Sequence, residues 1–419
     1  MSTDVLISPE VHGVFDKAFL SRLRESLNSA CRWLTDVALL TTPQPDDGCL
    51  PTEIAYPDWR GALRGEYSAR VRQWGFFCPY WHSSQGMKAL LWAAPHLPDG
   101  DFCNEAAMSI ADFLMRNRIT DRNSPDFGLP LAYEDAPHSV NTSAILEAMD
   151  GLLVLADLSG DKHYEQAVID ALDWIERTAY CKGKGVFRNS YDPVRREFFI
   201  ISSYRDIPEE RRLRPLLDDA IFLKGFLRTG KASFRATFFE TAERLLATET
   251  PPGNWVSYLP CSQDAGRMHP RHAYWWGGPM LDAWLESGDA RHRNCALRAA
   301  EWYANALRRD GGFFRNTYTD FSTDSFGHAT SGSACAAIVL LRAALECGQT
   351  QYFPLVRKAL EFCMSVQFTN PRDPNLRGAI LEKVLPPDGT DASPYHLRDL
   401  GTIFFAQAAS LCLKASAYF

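Results

Sequence analysis

Six apolar segments of similar design recur along this 419-residue chain and restrict its fold more than any other feature. Each segment opens with small, polar or aromatic residues and continues as an apolar stretch long enough for a helix. The segments start at His82, Asn141, Asp218, Trp275, Thr330 and His396. The steps between these starts are 59, 77, 57, 55 and 66 residues. A period of about 60 residues suits one helical hairpin and a long loop per repeat.

A second set of helical segments alternates with the first and differs from it in having a charged face. In 290–309, for example, apolar residues recur at helical spacing, while Arg291, Arg293 and Arg298 occupy other positions. The whole set comprises about 20–39, 105–118, 162–179, 233–249, 290–309 and 351–367. Segments that are apolar nearly all round predict inner helices, and segments with one polar face predict outer helices.

This alternation predicts an all-α protein: one domain over residues 1–419, built as an (α/α)6 toroid of six helical hairpins. Glycines close four of the inner segments, at Gly160, Gly230, Gly288 and Gly348, where a helix is expected to end. Strand signals are confined to short pieces such as 185–191 and 197–205, which predict a small hairpin in a loop. Parallel inner helices would gather their N-termini at one rim, where unpaired N–H groups favour anionic or hydroxyl-rich ligands. We therefore expect a polar cavity there.

Composition and charge restrict the kinds of binding partner and the cellular compartment that we expect for this protein. The net charge is −7, and interspersed charges of this sign argue against a nucleic-acid partner. We expect no membrane partner, because no apolar run reaches the roughly 18 residues that span a bilayer. The N-terminus lacks the basic and apolar regions of a signal peptide, and eleven cysteines are scattered without any C-x-x-C pair. These features predict a cytoplasmic protein with reduced cysteines, and a homo-oligomer is compatible with them.

The chain lacks the short motifs that signal a metal or a nucleotide cofactor. It contains no H-E-x-x-H, no zinc spacing, no EF-hand loop, no P-loop and no G-x-G-x-x-G. We therefore expect neither a metal nor a cofactor.

The residues at the segment starts and in the adjoining loops are of the types that bind sugars. Flat aromatic rings stack on the C–H face of a sugar, while amides, hydroxyls and charged groups bind its hydroxyls. We predict a small saccharide as the substrate. The candidate binding residues are Trp81, His82, Gln85, Tyr133, Asn141, Arg271, His272, Trp275, Trp276, His328, Ser331 and His396. The alternative, that Asn141 is an ordinary helix cap and that each histidine has a structural role, stays open.

Four carboxylates are candidates for the catalytic groups. Asp218 and Asp219 open the third segment, and a carboxyl group beside a like charge in an apolar setting can donate a proton near neutral pH. Their alternative role is to cap a helix and interact with its dipole. Asp126 and Glu134 lie on a predicted loop and supply candidates for a second carboxylate. A general acid facing a second carboxylate across a sugar is the usual arrangement in glycosidases.

The segments around Asp218 and Thr330 resemble a known family. LLDDAIFLKGFLRTGK, from Leu216, resembles the inner-helix motif of unsaturated glucuronyl and rhamnogalacturonyl hydrolases, and HATSGSACAAIVLLRAALECG, from His328, is similar to their late inner helix. The resemblance implies an (α/α)6 barrel. It also implies that an Asp at this position is the general acid/base that hydrates the 4,5-double bond of an unsaturated uronic acid. Asp218 matches by position, and Asp219 is a close second.

The main hypothesis is therefore a glycoside hydrolase acting on a uronic-acid-containing saccharide by carboxylate acid/base catalysis. The same toroid occurs in sugar epimerases and polysaccharide lyases, so an isomerase or a lyase is the first alternative. In these enzymes a His or Tyr base would abstract a proton from carbon. The second alternative is a non-catalytic helical scaffold that binds a partner protein.

Overall fold

A computed structural model describes residues 13–134, 138–324, 328–382 and 392–416. Within these ranges, twelve helices of eight or more residues alternate between an outer and an inner layer. The outer helices are α1 (Lys17–Arg32), α3 (Asp101–Arg116), α5 (Lys162–Trp174), α7 (Ala232–Thr248), α9 (Ala290–Ala306) and α11 (Phe353–Ser365). The inner helices are α2 (Pro79–Ala93), α4 (Thr142–Ser159), α6 (Ile221–Thr229), α8 (Met280–Ser287), α10 (Thr330–Cys347) and α12 (Leu400–Ser416).

The inner helices form a closed ring, which confirms the predicted (α/α)6 toroid. Helix α2 packs against α4 on one side and α12 on the other, and α12 in turn packs against α10. The ring continues through α6 and the segment preceding α8. Burial follows the two sequence patterns: 14 of the 15 residues of α2 are buried, against 7 of the 16 residues of the outer helix α3. Hydropathy patterning thus assigned the layers correctly, because only a helix that lies between neighbours is apolar all round.

The ends of the inner helices also follow the sequence. Gly160, Gly230, Gly288 and Gly348 are the residues after α4, α6, α8 and α10, and all four have a positive φ between 70° and 73°. In this left-handed conformation glycine avoids the steric cost of a Cβ atom.

Three predicted helix starts differ in the structure. Asp218–Ala220 forms a 3₁₀ turn before α6, and Ala273–Gly277 forms a π-helical segment before α8. His396 lies in a strand, and α12 begins four residues later at Leu400. Tertiary contacts outweigh local helix propensity at these positions, since all three segments lie at the end of the barrel that holds the cavity described below.

Ten short strands connect the helices at this end. The strands are β1 (Glu66–Ser68), β2 (Gln73–Gly75), β3 (Val140–Asn141), β4 (Tyr180–Cys181), β5 (Val186–Phe187), β6 (Ser190–Asp192), β7 (Glu197–Phe198), β8 (Arg267–Met268), β9 (Thr317–Tyr318) and β10 (His396–Arg398), counted over the described residues. β1 pairs antiparallel with β2 and β10, with Glu66 opposite Arg398. β6 pairs with β3 and β7, which gives the hairpin expected near 185–205.

One helix of the described chain, α10, is long and apolar enough to cross a membrane by length and composition. It has 18 residues and a mean hydropathy of 1.3, and 78% of it is buried inside the toroid. Its apolar surface is accounted for by packing against α11 and α12.

The close approach of α2 and α4 allows the packing of the inner ring to be tested by mutation. A Cβ atom added at Gly151 would lie 2.5 Å from the backbone oxygen of Ser84 on α2. Gly151→Ala should therefore lower the free energy of unfolding by about 1–3 kcal/mol, since the two backbones must move apart. Thermal or denaturant unfolding measures this loss.

Gly225→Ala in α6 is the matched control. There the nearest atom to an added Cβ is the end of the Leu172 side chain, at 2.6 Å, which can rotate away. The gain in helix propensity, about 1 kcal/mol, should offset most of the cost. An equal loss of stability in both variants would contradict the close backbone approach.

Candidate functional site

The N-terminal ends of the inner helices surround a cavity of about 670 Å³. Trp81 from α2, Ser143 and Glu147 from α4, Trp275 from the segment before α8 and Leu400 from α12 all line it. The volume lies within the range of roughly 300–1,000 Å³ that is usual for small-molecule sites.

The loop between α5 and α6 supplies one side of this cavity. It contains the β6–β7 hairpin, and its lining residues are Arg188, Asn189, Ser190, Phe198, Phe199, Ile200, Ile201, Tyr204, Glu209, Arg212, Leu213 and Arg214. Asp126 ties the hairpin to the outer layer. Its carboxylate accepts hydrogen bonds from the Tyr191 hydroxyl at 2.7 Å and the Trp174 indole at 3.1 Å.

Aromatic rings form part of the cavity wall and are fixed by polar contacts. The Trp275 indole donates a hydrogen bond to Oε2 of Glu147 at 2.8 Å. The His269 ring stacks on Trp275 with a centroid distance of 4.9 Å and an interplanar angle of 11°. The guanidinium of Arg271 lies 5.0 Å from the Trp275 ring centroid and 5.8 Å from that of Trp81.

Three arginines, Arg271, Arg315 and Arg398, form a cationic wall within the cavity lining. Burial, together with the like charges of Arg271 and Arg398, lowers the pKa of Arg315 to about 9. Arg315 donates to Nε2 of His269 at 2.5 Å. Burial and the neighbouring arginines also hold the pKa of His269 well below its usual range, so this imidazole is neutral at pH 7. Clustered cations that depress one another's pKa favour an anionic ligand.

Nearby carboxylates balance the positive charge of this wall only in part. Arg271 donates to the Ser331 hydroxyl at 3.1 Å, and that hydroxyl donates to Oε1 of Glu382 at 2.7 Å. Burial raises the pKa of Glu382 above its usual value. Arg398 is hydrogen-bonded to Glu66 across the β1–β10 pair.

Two further buried carboxyl groups, Glu147 and Asp218, also have raised pKa values. Burial, with a further contribution from the charge of Asp218, raises the pKa of Glu147 well above its usual range. Burial, reinforced by Asp219 and opposed by Arg214, raises the pKa of Asp218 to about 7. Neither carboxyl oxygen of Asp218 has a hydrogen-bond partner in the described part of the chain. Glu147 lines the cavity, whereas Asp218 lies behind the lining, within electrostatic range of Glu147 and Arg214.

The other predicted catalytic residues occupy three different settings. Glu134 lines the cavity and accepts a hydrogen bond from the Asn141 amide at 2.8 Å. Asp219 lies inside the barrel, 3.0 Å from the ammonium of Lys88. Asp126 is outside the cavity lining, where its hydrogen bonds hold the hairpin.

The predicted binding residues divide in the same way. Four of them line the cavity: Trp81, Asn141, Arg271 and Trp275. Ser331 is not part of the lining, but its hydroxyl accepts a hydrogen bond from Arg271, which is. The remaining seven lie outside the lining: His82, Gln85, Tyr133, His272, Trp276, His328 and His396. The sequence prediction included them because they lie near a helix start or, like Tyr133 and His328, in a long loop, but a helix presents only part of its first turns to the rim.

Specific contacts account for these positions behind the lining. Nδ1 of His82 is 2.6 Å from Asp399, and Gln85 donates to Asp219. His272 stacks on Trp276 with a centroid distance of 4.1 Å. The other three residues also have contacts outside the cavity. Tyr133 packs against Tyr56, His328 is hydrogen-bonded to Arg308, and His396 lies close to Glu66.

Several residues of the cavity were absent from the sequence prediction. Glu147 had a usable signal, because a carboxylate within the apolar stretch of an inner helix needs a partner or a function. Arg214, His269, Arg315, Glu382 and Arg398 lie in loops or strands, where no periodicity marks them. The described residues contain no group of three or more His, Cys, Asp or Glu side chains that could hold a metal ion.

No protein-family model matches the sequence, and no curated protein is significantly similar to it in sequence. Solved structures share its fold. An unsaturated glucuronyl hydrolase from Bacillus sp. GL1 has 12% identity and a TM-score of 0.61, covering 93% of this chain and 96% of the other. The corresponding enzyme from Streptococcus agalactiae has 12% identity and a TM-score of 0.63, with coverages of 96% and 93%.

A cellobiose 2-epimerase from Spirochaeta thermophila is also similar, with 13% identity, a TM-score of 0.59 and coverages of 96% and 99%. The resemblance to unsaturated glucuronyl hydrolases that the sequence predicts is thus confirmed at the level of the fold. The fold defines the class, an (α/α)6 toroid that these hydrolases share with sugar epimerases.

The pKa of Asp218 makes stability depend on pH. Because the folded-state pKa, about 7, exceeds the ordinary value of 3.8, this group stabilises the fold fully below about pH 4. That stabilisation is lost as the pH rises through 7. Between pH 5 and 7 the wild type should lose up to about 1.4 kcal/mol per pH unit relative to Asp218→Asn.

Thermal unfolding from pH 4 to 8 measures this difference. The exposed residue Asp264 provides the control, since Asp264→Asn should leave the pH profile of the wild type unchanged. Parallel profiles for the wild type and Asp218→Asn would show that Asp218 does not titrate in this range.

Proposed function

We propose that this protein is a carbohydrate-active enzyme, and most specifically a glycoside hydrolase that acts on a uronic-acid-containing saccharide. The observation that carries the proposal is the proximity of carboxyl groups with raised pKa to an arginine wall in one aromatic-lined cavity. Acid catalysis at neutral pH needs a carboxyl group that is still protonated at that pH. Recognition of a uronate needs cations in the same cavity.

The substrate is positioned by the cationic wall and the indoles. Its carboxylate binds among Arg271, Arg315 and Arg398. There it neutralises the positive charge that remains after the contributions of Glu382 and Glu66. Trp81 and Trp275 offer ring surfaces against which a sugar can pack. The solved hydrolases with this fold act on unsaturated glucuronides by name, which supports an unsaturated uronide as the first substrate to test.

Glu147 is the group best placed to donate the proton, because it lines the cavity and burial keeps it protonated. The Trp275 indole fixes its orientation. Asp218 lies behind the lining, and the fraction of it that is ionised near neutral pH favours the protonated form of Glu147. Glu134 is another carboxylate of the lining and is the candidate to accept a proton from the attacking water. In the hydration of a 4,5-unsaturated uronide, the elements of one water molecule add across the double bond.

The test is to follow the absorbance of the double bond in unsaturated uronic-acid disaccharides. The wild type should remove it, and Glu147→Gln should lower kcat by about 10²–10⁴-fold, the usual effect of losing a general acid. Glu165→Gln, which changes an outer-helix carboxylate, is the control and should retain full activity.

Absence of turnover in the wild type, or full activity of Glu147→Gln, would contradict the proposal. A rise in absorbance from saturated uronides would instead indicate a polysaccharide lyase.

An isomerase or epimerase is the second candidate, favoured by His269. This neutral imidazole lines the cavity, and a neutral imidazole can abstract a proton from a carbon next to a carbonyl group. Incubation with sugars in deuterated water separates the candidates by mass spectrometry. The hydrolase proposal expects no deuterium in recovered substrate. Incorporation that is lost in His269→Gln, and retained in the control His292→Gln on α9, would favour the isomerase.

A further inference from the structure

A buried ion network lies inside the barrel. The ammonium of Lys88 on α2 is 2.7 Å from a carboxylate oxygen of Asp150 and 3.0 Å from one of Asp219. Lys224 on α6 is 2.5 Å from the other oxygen of Asp150. Lys88 is only 2% exposed and does not line the cavity. Two ammonium and two carboxylate groups make the network neutral, as burial requires.

The network is attached to a strained turn. Asp219 and Ala220 have φ values of 48° and 53°, a left-handed conformation that costs non-glycine residues of order 1–3 kcal/mol each. Such a turn persists only when surrounding contacts hold it. Besides Lys88, the carboxylate of Asp219 accepts a hydrogen bond from Gln85 at 3.0 Å and a long one from Tyr274 at 3.5 Å.

Asp218 immediately precedes this turn. Its carboxyl group is buried and has no hydrogen-bond partner among the described residues, so no side-chain bond fixes where it lies. Segment 218–220 packs against α4, the helix that carries Glu147, so the position of the Asp218 carboxyl group relative to that helix depends on the backbone of residues 218–220. That backbone is in turn held through the side chain of Asp219.

We propose that Lys88 is a positioning residue: by binding Asp219 it holds the left-handed turn that places the Asp218 carboxyl group beside α4, the helix that carries Glu147. This inference rests on the proposed function, since it assigns a role in the same acid–base chemistry. Lys88 acts through Asp219 and does not touch the substrate.

A purely structural role for Lys88, neutralising two buried carboxylates, makes different predictions, and Lys224 provides the matched comparison. Lys224 belongs to the same network and binds the same Asp150, but it makes no contact with Asp219. Replacing either lysine by methionine removes one ammonium group of the network. Only the replacement of Lys88 releases the turn.

The experiment compares Lys88→Met with Lys224→Met on the substrate turned over by the wild type. Lys88→Met should lower kcat by about 10- to 100-fold, as expected for small misplacement of reacting groups, with KM within about threefold. Lys224→Met should keep kcat within about twofold. Equal losses in the two variants, or a change in KM alone, would overturn the proposal.

The double variant Lys88→Met/Asp219→Asn separates positioning from charge balance. It removes one cation and one anion, so the buried charge remains balanced and the protein should unfold at a higher temperature than Lys88→Met. The anchor of the turn is still absent, so kcat should stay low. Recovery of kcat together with stability would show that Lys88 only neutralises charge and would overturn the proposal.

Crystal structures of the double variant and of Lys224→Met test the role of Lys88 without any substrate. Residues 218–220 should leave the left-handed conformation and the Asp218 carboxyl group should shift by about 1 Å or more, whereas Lys224→Met should keep the wild-type turn. An unmoved turn in the double variant would overturn the proposal. If the wild type turns over no uronide, the proposed function fails, while this structural result still decides the role of Lys88.

Discussion

Burial of the inner helices is the constraint on which the rest of the structure depends. The four long inner helices, α2, α4, α10 and α12, have 14 buried residues each, so the charged residues they carry need internal partners. Lys88, Asp150 and Asp219 meet this need within the barrel. The same packing brings the N-terminal ends of several inner helices together around one cavity, which concentrates polar side chains there.

Electrostatics divide the polar interior into two parts with different properties. Below the cavity, lysines and aspartates are paired and neutral, and the network contributes order to a strained turn. On one wall of the cavity, arginines outnumber their carboxylate partners, while burial raises the pKa of Glu147 in the lining and that of Asp218 behind it. Perturbed pKa values of this kind cluster at functional sites.

Much of the fold was predictable because hydropathy records burial directly. The alternation of all-round apolar and one-sided segments identified the layers, and four glycines marked helix ends. The candidate site was predicted less completely. Trp81, Glu134, Asn141, Arg271 and Trp275 line the cavity, whereas His82, His272 and Trp276 lie in packed surroundings. Proximity to a helix start gives the height of a residue along the barrel, and it does not give the direction of its side chain.

The sequence by itself determined the number and order of the helices, because each local segment carries its own periodicity and its own stop signal. Only the tertiary structure decided which charges meet. Arg315, Arg398 and Glu382 come from separate loops and strands, and their proximity to Arg271 depends on closure of the ring. Whether Asp218 or Asp219 is paired was likewise settled by a turn whose left-handed backbone is imposed by contacts with α2. Electrostatic interactions act between residues distant in sequence, so no local pattern encodes them.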